Sequence, residues 1–212
     1  MFKNRIDAGK RLSQSLKAYK GKGIIVLAIP RGGVEVGYEI AKSLEAEFSI
    51  VVSRKLPFPG NPESGFGAIA EDGSFFLIEG AEAWMPPNQI HRIMNEQKEE
   101  IKRRKKVLRG DKPFPKIKDK TVILVDDGIA MGSTMRASLR MCRKKEAAKI
   151  VVASPVAGPD VARILEEEAD DTVILEKPES FHAVAQVYEK WYDVPDEEVV
   201  EIMKEWKEYK RG

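Results

Sequence analysis

With 212 residues, and 36 lysines and arginines against 34 aspartates and glutamates, the chain carries a formal charge of +2, which excludes a histone-like binder and an acidic tail protein. A single cysteine, Cys142, excludes an internal disulfide, and the charged residues Lys3, Arg5, Asp7 and Lys10 give the start of the chain no secretory apolar core, so a reducing, cytoplasmic setting is predicted. The length suits one domain over 1–212, and apolar runs such as 122–125 and 150–153 fall far short of the ~20 residues a membrane span needs.

Five short apolar runs, at 23–29, 48–53, 120–125, 149–155 and 171–175, alternate with amphipathic stretches. Each is continuous enough to be buried on both faces, which predicts an α/β fold: an open, mostly parallel, doubly wound sheet. Behind the first run stand Pro30, Arg31, Gly32 and Gly33, leading into a helix that runs to Leu44. Two glycines at a strand end allow close backbone approach, and Arg31 adds a cation with forked donors, a combination that suits a diphosphate as well as a simple turn. The second run ends on the basic pair Arg54 and Lys55.

The texture then changes over 56–80. Pro57, Pro59, Gly60, Pro62, Gly65 and Gly67 crowd a stretch with little periodicity that also carries Glu63 and Ser64. It reads as a long, mobile loop running into a hairpin, in which 67–70 and 74–78 flank the turn dipeptide Asp72-Gly73. Pro86, Pro87 and Asn88 open a helix with a thin apolar stripe of Ile90, Met94, Ile101 and Leu108 and a stop at Gly110. Within it, 98–109 holds seven basic residues and two acidic ones. A solvated helix face is the favoured reading of that run, and contact with RNA or DNA the alternative.

The strongest chemical signal follows the run 120–125: Asp126, Asp127, Gly128, Ile129, Ala130, Met131, Gly132, Ser133 and Thr134, then a helical stretch. Two adjacent carboxylates at the carboxyl end of a buried strand are costly to the core and belong in the crevice where open α/β sheets bind ligands. A carboxylate pair accepts the two protons of a cis-diol. The small residues behind it expose backbone N–H groups at a helix N-terminus, which is an anion cradle. A diol followed by a phosphate describes a ribose 5-phosphate.

This run resembles the 5-phosphoribosyl-1-pyrophosphate (PRPP) motif of the type I phosphoribosyltransferases. The resemblance implies that Asp126 and Asp127 hold the ribose hydroxyls and that Gly128 to Thr134 wrap the 5-phosphate. It implies further that Arg31, Gly32 and Gly33, with Arg54 and Lys55, meet the pyrophosphate, and that Mg2+ arrives on PRPP instead of on a protein site. Arg31, Lys55, Asp126 and Asp127 would then serve catalysis, which displaces pyrophosphate with an unidentified, nitrogenous acceptor while the loop around Glu63 and Ser64 closes. A variable hood over the acceptor is implied for 176–212, where Phe181, His182, Tyr188, Trp191 and Tyr192 lie, although ordinary packing is the better expectation for each aromatic. Pro62-Glu63, Arg103-Arg104 and this tail resemble a poorly characterised group of that family, in which homodimers are common. Two positions depart from the wider family: Met131 stands where a threonine is usual, and Ala130 where the 6-oxopurine branch has an aspartate. The alternative function is a PRPP-sensing regulator that binds RNA or DNA through 98–109. A pocket used for hydrolysis or phosphorolysis of another ribose phosphate is a third reading, which no nucleophile supports.

Overall fold

The computed structural model describes every residue except Lys22, Asp111 and Gly212. The β-branched runs form parallel strands: β1 (Ile24–Ala28), β2 (Glu47–Ile50), β6 (Thr121–Val125), β7 (Lys149–Val156) and β8 (Asp171–Glu176), in the order β2-β1-β6-β7-β8. β1 and β6 pair from Ile24↔Thr121 to Ala28↔Val125, so both end at the same level. The loops after them, which carry Arg31 and Asp126, therefore face each other across the crevice.

Alternation along the strands feeds two cores. Ile24, Val26, Ala28, Ile123 and Val125 meet the side holding α1 (Arg5–Ser15), α2 (Gly33–Leu44) and α7 (Asp196–Tyr209). Ile25, Leu27, Val122 and Leu124 meet the side holding α5 (Ser133–Lys144) and α6 (Pro159–Glu168). Helices on both faces make the sheet doubly wound, as the alternating pattern predicts.

Two expectations are corrected. The predicted run 48–53 divides: β2 ends at Ile50, and Ser53 begins a strand of a second sheet. The long loop expected over 56–80 is itself ordered as that sheet, with β3 (Ser53–Phe58), β4 (Asn61–Ala70) and β5 (Phe75–Leu77) antiparallel. Pro57 has no amide to give the ladder, and the pairing shifts register on both sides of it without ending. Gly60, at φ 74°, turns the chain at the tip. The Asp72-Gly73 hairpin forms as expected, pairing Gly67↔Leu77 through Ile69↔Phe75.

A single short turn, α3 (Ala81–Trp84), precedes the helix expected from Pro86 to Gly110. That helix is α4 (Pro87–Arg109), with Ile90, Met94, Ile101 and Leu108 buried as a stripe. Its end is held by Glu71, buried to 2% side-chain exposure, which pairs with Arg109 and Lys105. Glu71 Oε1 also accepts from the Val52 amide at 3.1 Å, so this carboxylate ties α4 to the junction where the second sheet leaves the first. Among the described residues no helix is long and apolar enough to cross a membrane.

Candidate active site

β6 ends at Val125, and the next two residues bring their carboxylates against the start of α2 and against Arg5. Asp126 Oδ1 accepts the Asp127 amide at 2.9 Å. Asp127 Oδ2 accepts from Arg5 Nε at 2.7 Å. The two carboxyl groups also lie within hydrogen-bond reach of each other, a contact that shifts the titration of both. Burial, and then the neighbouring Asp127, hold the Asp126 carboxyl well above the ordinary carboxylate range. Asp127 is raised as well, by burial, against the opposing pull of Arg5.

Opposite them, α2 begins in contact with this pair. A Cβ on Gly32 would overlap Asp127 Oδ2 and come within 2.8 Å of Arg5 Nε, and one on Gly33 would lie 2.9 Å from the Val125 carbonyl. The absence of side chains at these two positions is what allows the Arg31 loop to sit against the aspartates. The Pro30–Arg31 peptide bond is cis.

Behind the aspartates, Gly132 at φ 74° swings the chain into α5. The amides of Ala130, Met131, Gly132, Ser133 and Thr134 donate to no backbone carbonyl among the described residues, as the start of a helix requires. Ser133 is buried, whereas Ala130 and Met131 lie on the surface, Met131 at 58% exposure. This leaves a strip of unpaired N–H groups beside the carboxylate pair.

The cations divide. Arg54 and Lys55 are neighbours on β3 and project to opposite faces. Arg54 Nε donates to Gln97 on α4 at 3.2 Å. Burial, and then Arg104, Arg103 and Arg31, draw its guanidinium below the usual range, the signature of crowded like charges. Arg31 and Arg103 share Asp196 at the start of α7, at 3.8 and 4.0 Å. Arg31, Arg54, Arg103 and Arg104 thus form one cationic group, whereas Lys55 donates instead to the Glu63 carbonyl across the hairpin. Glu63 is exposed at the hairpin's outer end, with Ser64 bonded to Asn61.

The remainder of the basic run on α4 is largely matched by carboxylates. Lys102 pairs with Glu99, Arg103 and Arg104 with Glu100, and Lys105 and Arg109 with Glu71. The Arg103 hydrogen bond leads in drawing Glu100 down to about 2. A solvated, ion-paired face accounts for most of the run, and its inner edge belongs to the site.

The segment expected as a hood also divides. Val184 packs where a Cβ on Gly128 would stand, and the Tyr188 hydroxyl donates to the Asp127 carbonyl at 2.6 Å. Tyr188 is buried against Phe2, as the packing expectation has it. Trp191 and Tyr192 are exposed on one side and lie over Arg5 on the other. His182 is exposed, its amide bonded to Gln186. Beyond Asp196, α7 returns to the core through Val199 and Trp206. Reading the sequence missed Arg5, which sits in an amphipathic stretch with no motif around it. The gathering of Arg103, Arg104 and Arg31 around Arg54 was likewise hidden, because it depends on how α4 crosses β3.

The model of the phosphoribosyl transferase domain matches residues 2–190. Two provisionally named phosphoribosyl transferases from strains of Mycobacterium tuberculosis are 36% identical over 207 residues, which cover 96% of this chain and 46% of theirs. The chain therefore spans about half the length of those curated relatives. The crystal structure of TT1426 from Thermus thermophilus superposes with a TM-score of 0.82 at 35% identity, covering 97% of this chain and 98% of that one. A purine phosphoribosyltransferase from Pyrococcus horikoshii shares the fold alone, with a TM-score of 0.51 at 16% identity over 90% of this chain and 92% of its own.

Proposed function

The chain belongs to the phosphoribosyltransferase family, and from that premise we propose that it transfers a phosphoribosyl group from PRPP to a nitrogenous acceptor, releasing pyrophosphate. The observation that carries this reading is the pair Asp126 and Asp127, held by Arg5 and by the Asp127 amide, beside a strip of unpaired amides. Once ionised, the two carboxylates accept the ribose 2- and 3-hydroxyl protons in charge-assisted bonds. The strip from Ala130 to Thr134, with the Ser133 and Thr134 hydroxyls, receives the 5-phosphate at the α5 N-terminus, the Ile129 amide being already bonded to the Val156 carbonyl.

In the reaction, a nitrogen lone pair forms the new bond at C1 as the bond from C1 to the pyrophosphate oxygen breaks. The electron pair leaves with pyrophosphate. Arg31, Arg54, Arg103 and Arg104 neutralise that developing charge, which is electrostatic preorganisation. Mg2+ on the diphosphate would add to this neutralisation. The carboxylate beside Arg31, Asp196, is already shared by Arg31 and Arg103, and the diphosphate oxygens would supply the ion's ligands. Lys55, tied to the hairpin through Glu63, is placed to couple closure of that arm to the diphosphate, and closure would exclude water from an oxocarbenium-like carbon.

Calorimetric titration tests the reading. Wild-type protein should bind PRPP with micromolar affinity, about −8 kcal/mol, more tightly with Mg2+ than without. Asp126→Asn combined with Asp127→Asn should abolish binding of PRPP and of ribose 5-phosphate in a protein that still melts cooperatively. Unchanged affinity in that double variant would overturn the site assignment.

A further inference from the structure

Arg5 is 3% exposed, although it stands on the first turn of α1, outside every motif in the chain. Its Nε holds Asp127 Oδ2 at 2.7 Å, and its Nη1 lies 3.5 Å from Glu35 Oε2 on α2. Among the described residues, neither Nη1 nor Glu35 Oε2 has a hydrogen-bond partner. The Trp191 ring lies 4.0 Å from the guanidinium carbon and closes the site of Arg5 from the solvent side. A buried cation held on three sides against a carboxylate expected to bind substrate does more than fill space.

We infer that Arg5 is the positioning residue of the ribose clamp: it keeps Asp127 ionised and turned so that its second oxygen faces the crevice, and Trp191 holds it there. The inference rests on the reading of Asp126 and Asp127 as the diol site. The physical need is plain. Two adjacent carboxylates in a crevice cannot both ionise without a counter-charge, and a pair sharing one proton loses one of its two anionic acceptors. The groups facing Asp127 are Asp126 beside it, Arg5 from α1, Glu35 from α2 and the Tyr188 hydroxyl, with Tyr192 and Glu198 behind Glu35. Arg5 is the cation among them, and the rest are acidic or neutral. The C-terminal segment meets the clamp at two points, through Trp191 on Arg5 and through the Tyr188 hydroxyl on the Asp127 carbonyl, and the Trp191 ring also lies against Tyr188.

The test is titration of the Asp127 carboxyl by carbon-detected NMR in the unliganded protein, for wild type, Arg5→Met, Arg5→Lys and Trp191→Leu. In Arg5→Met the Asp127 midpoint should rise by at least about one pH unit, a tenfold change in its proton affinity. Arg5→Lys should restore part of that shift. Trp191→Leu, which leaves the charge in place, should give an intermediate value and keeps the test available if Arg5→Met does not fold. In parallel, the PRPP affinity of Arg5→Met should fall at least tenfold more at acid than at alkaline pH, with inorganic pyrophosphate affinity within twofold of wild type. An Asp127 midpoint unchanged in folded Arg5→Met would overturn the inference, as would a PRPP loss in that variant independent of pH. If wild-type protein bound no PRPP, the reading of the site would fail, while the NMR titration would still decide whether Arg5 controls Asp127.

Discussion

Gly32 stands so close to the clamp that its hydrogen occupies the space between the Arg31 loop and the Asp127–Arg5 pair. Gly32→Ala should therefore push Asp127 off its partner and weaken PRPP at least tenfold, about 1.4 kcal/mol, as calorimetry would show. Gly21→Ala, where nothing lies within reach of a new Cβ, serves as the control for binding, although its φ of 70° adds local strain. The aspartates were legible in the sequence because charge directly after a buried strand has no structural use. Arg5 was not legible: its contact spans 122 residues of chain, and no local pattern marks a helical arginine that turns inward. The division of Arg54 from Lys55 follows from strand alternation once the strand is known, and it was the strand that the sequence concealed.

Among the elements, α4 and the β3–β4 arm carry the least expected chemistry. α4 was legible from its proline entry, apolar stripe and glycine stop, because those signals are local. The arm was not, because Pro57, Pro59 and Pro62 with Gly60, Gly65 and Gly67 lower strand propensity, while the pairing that rescues them comes from a partner strand. What α4 does for the site follows from its crossing over β3, which brings Arg103 and Arg104 beside Arg54 and Arg31. Replacing both with alanine should weaken inorganic pyrophosphate severalfold and leave ribose 5-phosphate within twofold, measured in separate titrations. Equal losses for both ligands would place the pair outside the diphosphate site. The same variant bears on nucleic acid: contact through the run 98–109 would give binding that falls steeply with salt, whereas the ion-paired face described above should give little.

For the molecule as a whole, the raised aspartates link stability to occupancy. In the unfolded chain these carboxyls titrate near the ordinary range, while in the fold Asp126 and, less strongly, Asp127 titrate above it. The fold thus holds protons that the unfolded chain has released. Their stabilising contribution is full below the ordinary range and is lost as pH rises through the folded values. Ribose binding needs the opposite state. Scanning calorimetry from about pH 5 to about pH 8 should show the unliganded melting temperature falling with pH and the increment given by PRPP growing. A PRPP increment that shrinks with rising pH would contradict ionised aspartates as the ligand's acceptors. The parallel sheet that sets this arrangement was legible from five apolar runs, whereas the second sheet and the path of the C-terminal segment depended on long-range pairing.

Cys142 is fully buried in α5, and burial pushes its thiol up to about 12. The natural protein should therefore be almost silent toward alkylating reagents at neutral pH. That silence makes the chain a ready background for a single reporter. With Glu63→Cys at the exposed end of the hairpin arm, every fast alkylation event would report on that arm. If the arm folds down over bound PRPP, the reagent should label it more slowly with ligand present, and a rate indifferent to PRPP would show an arm that does not close.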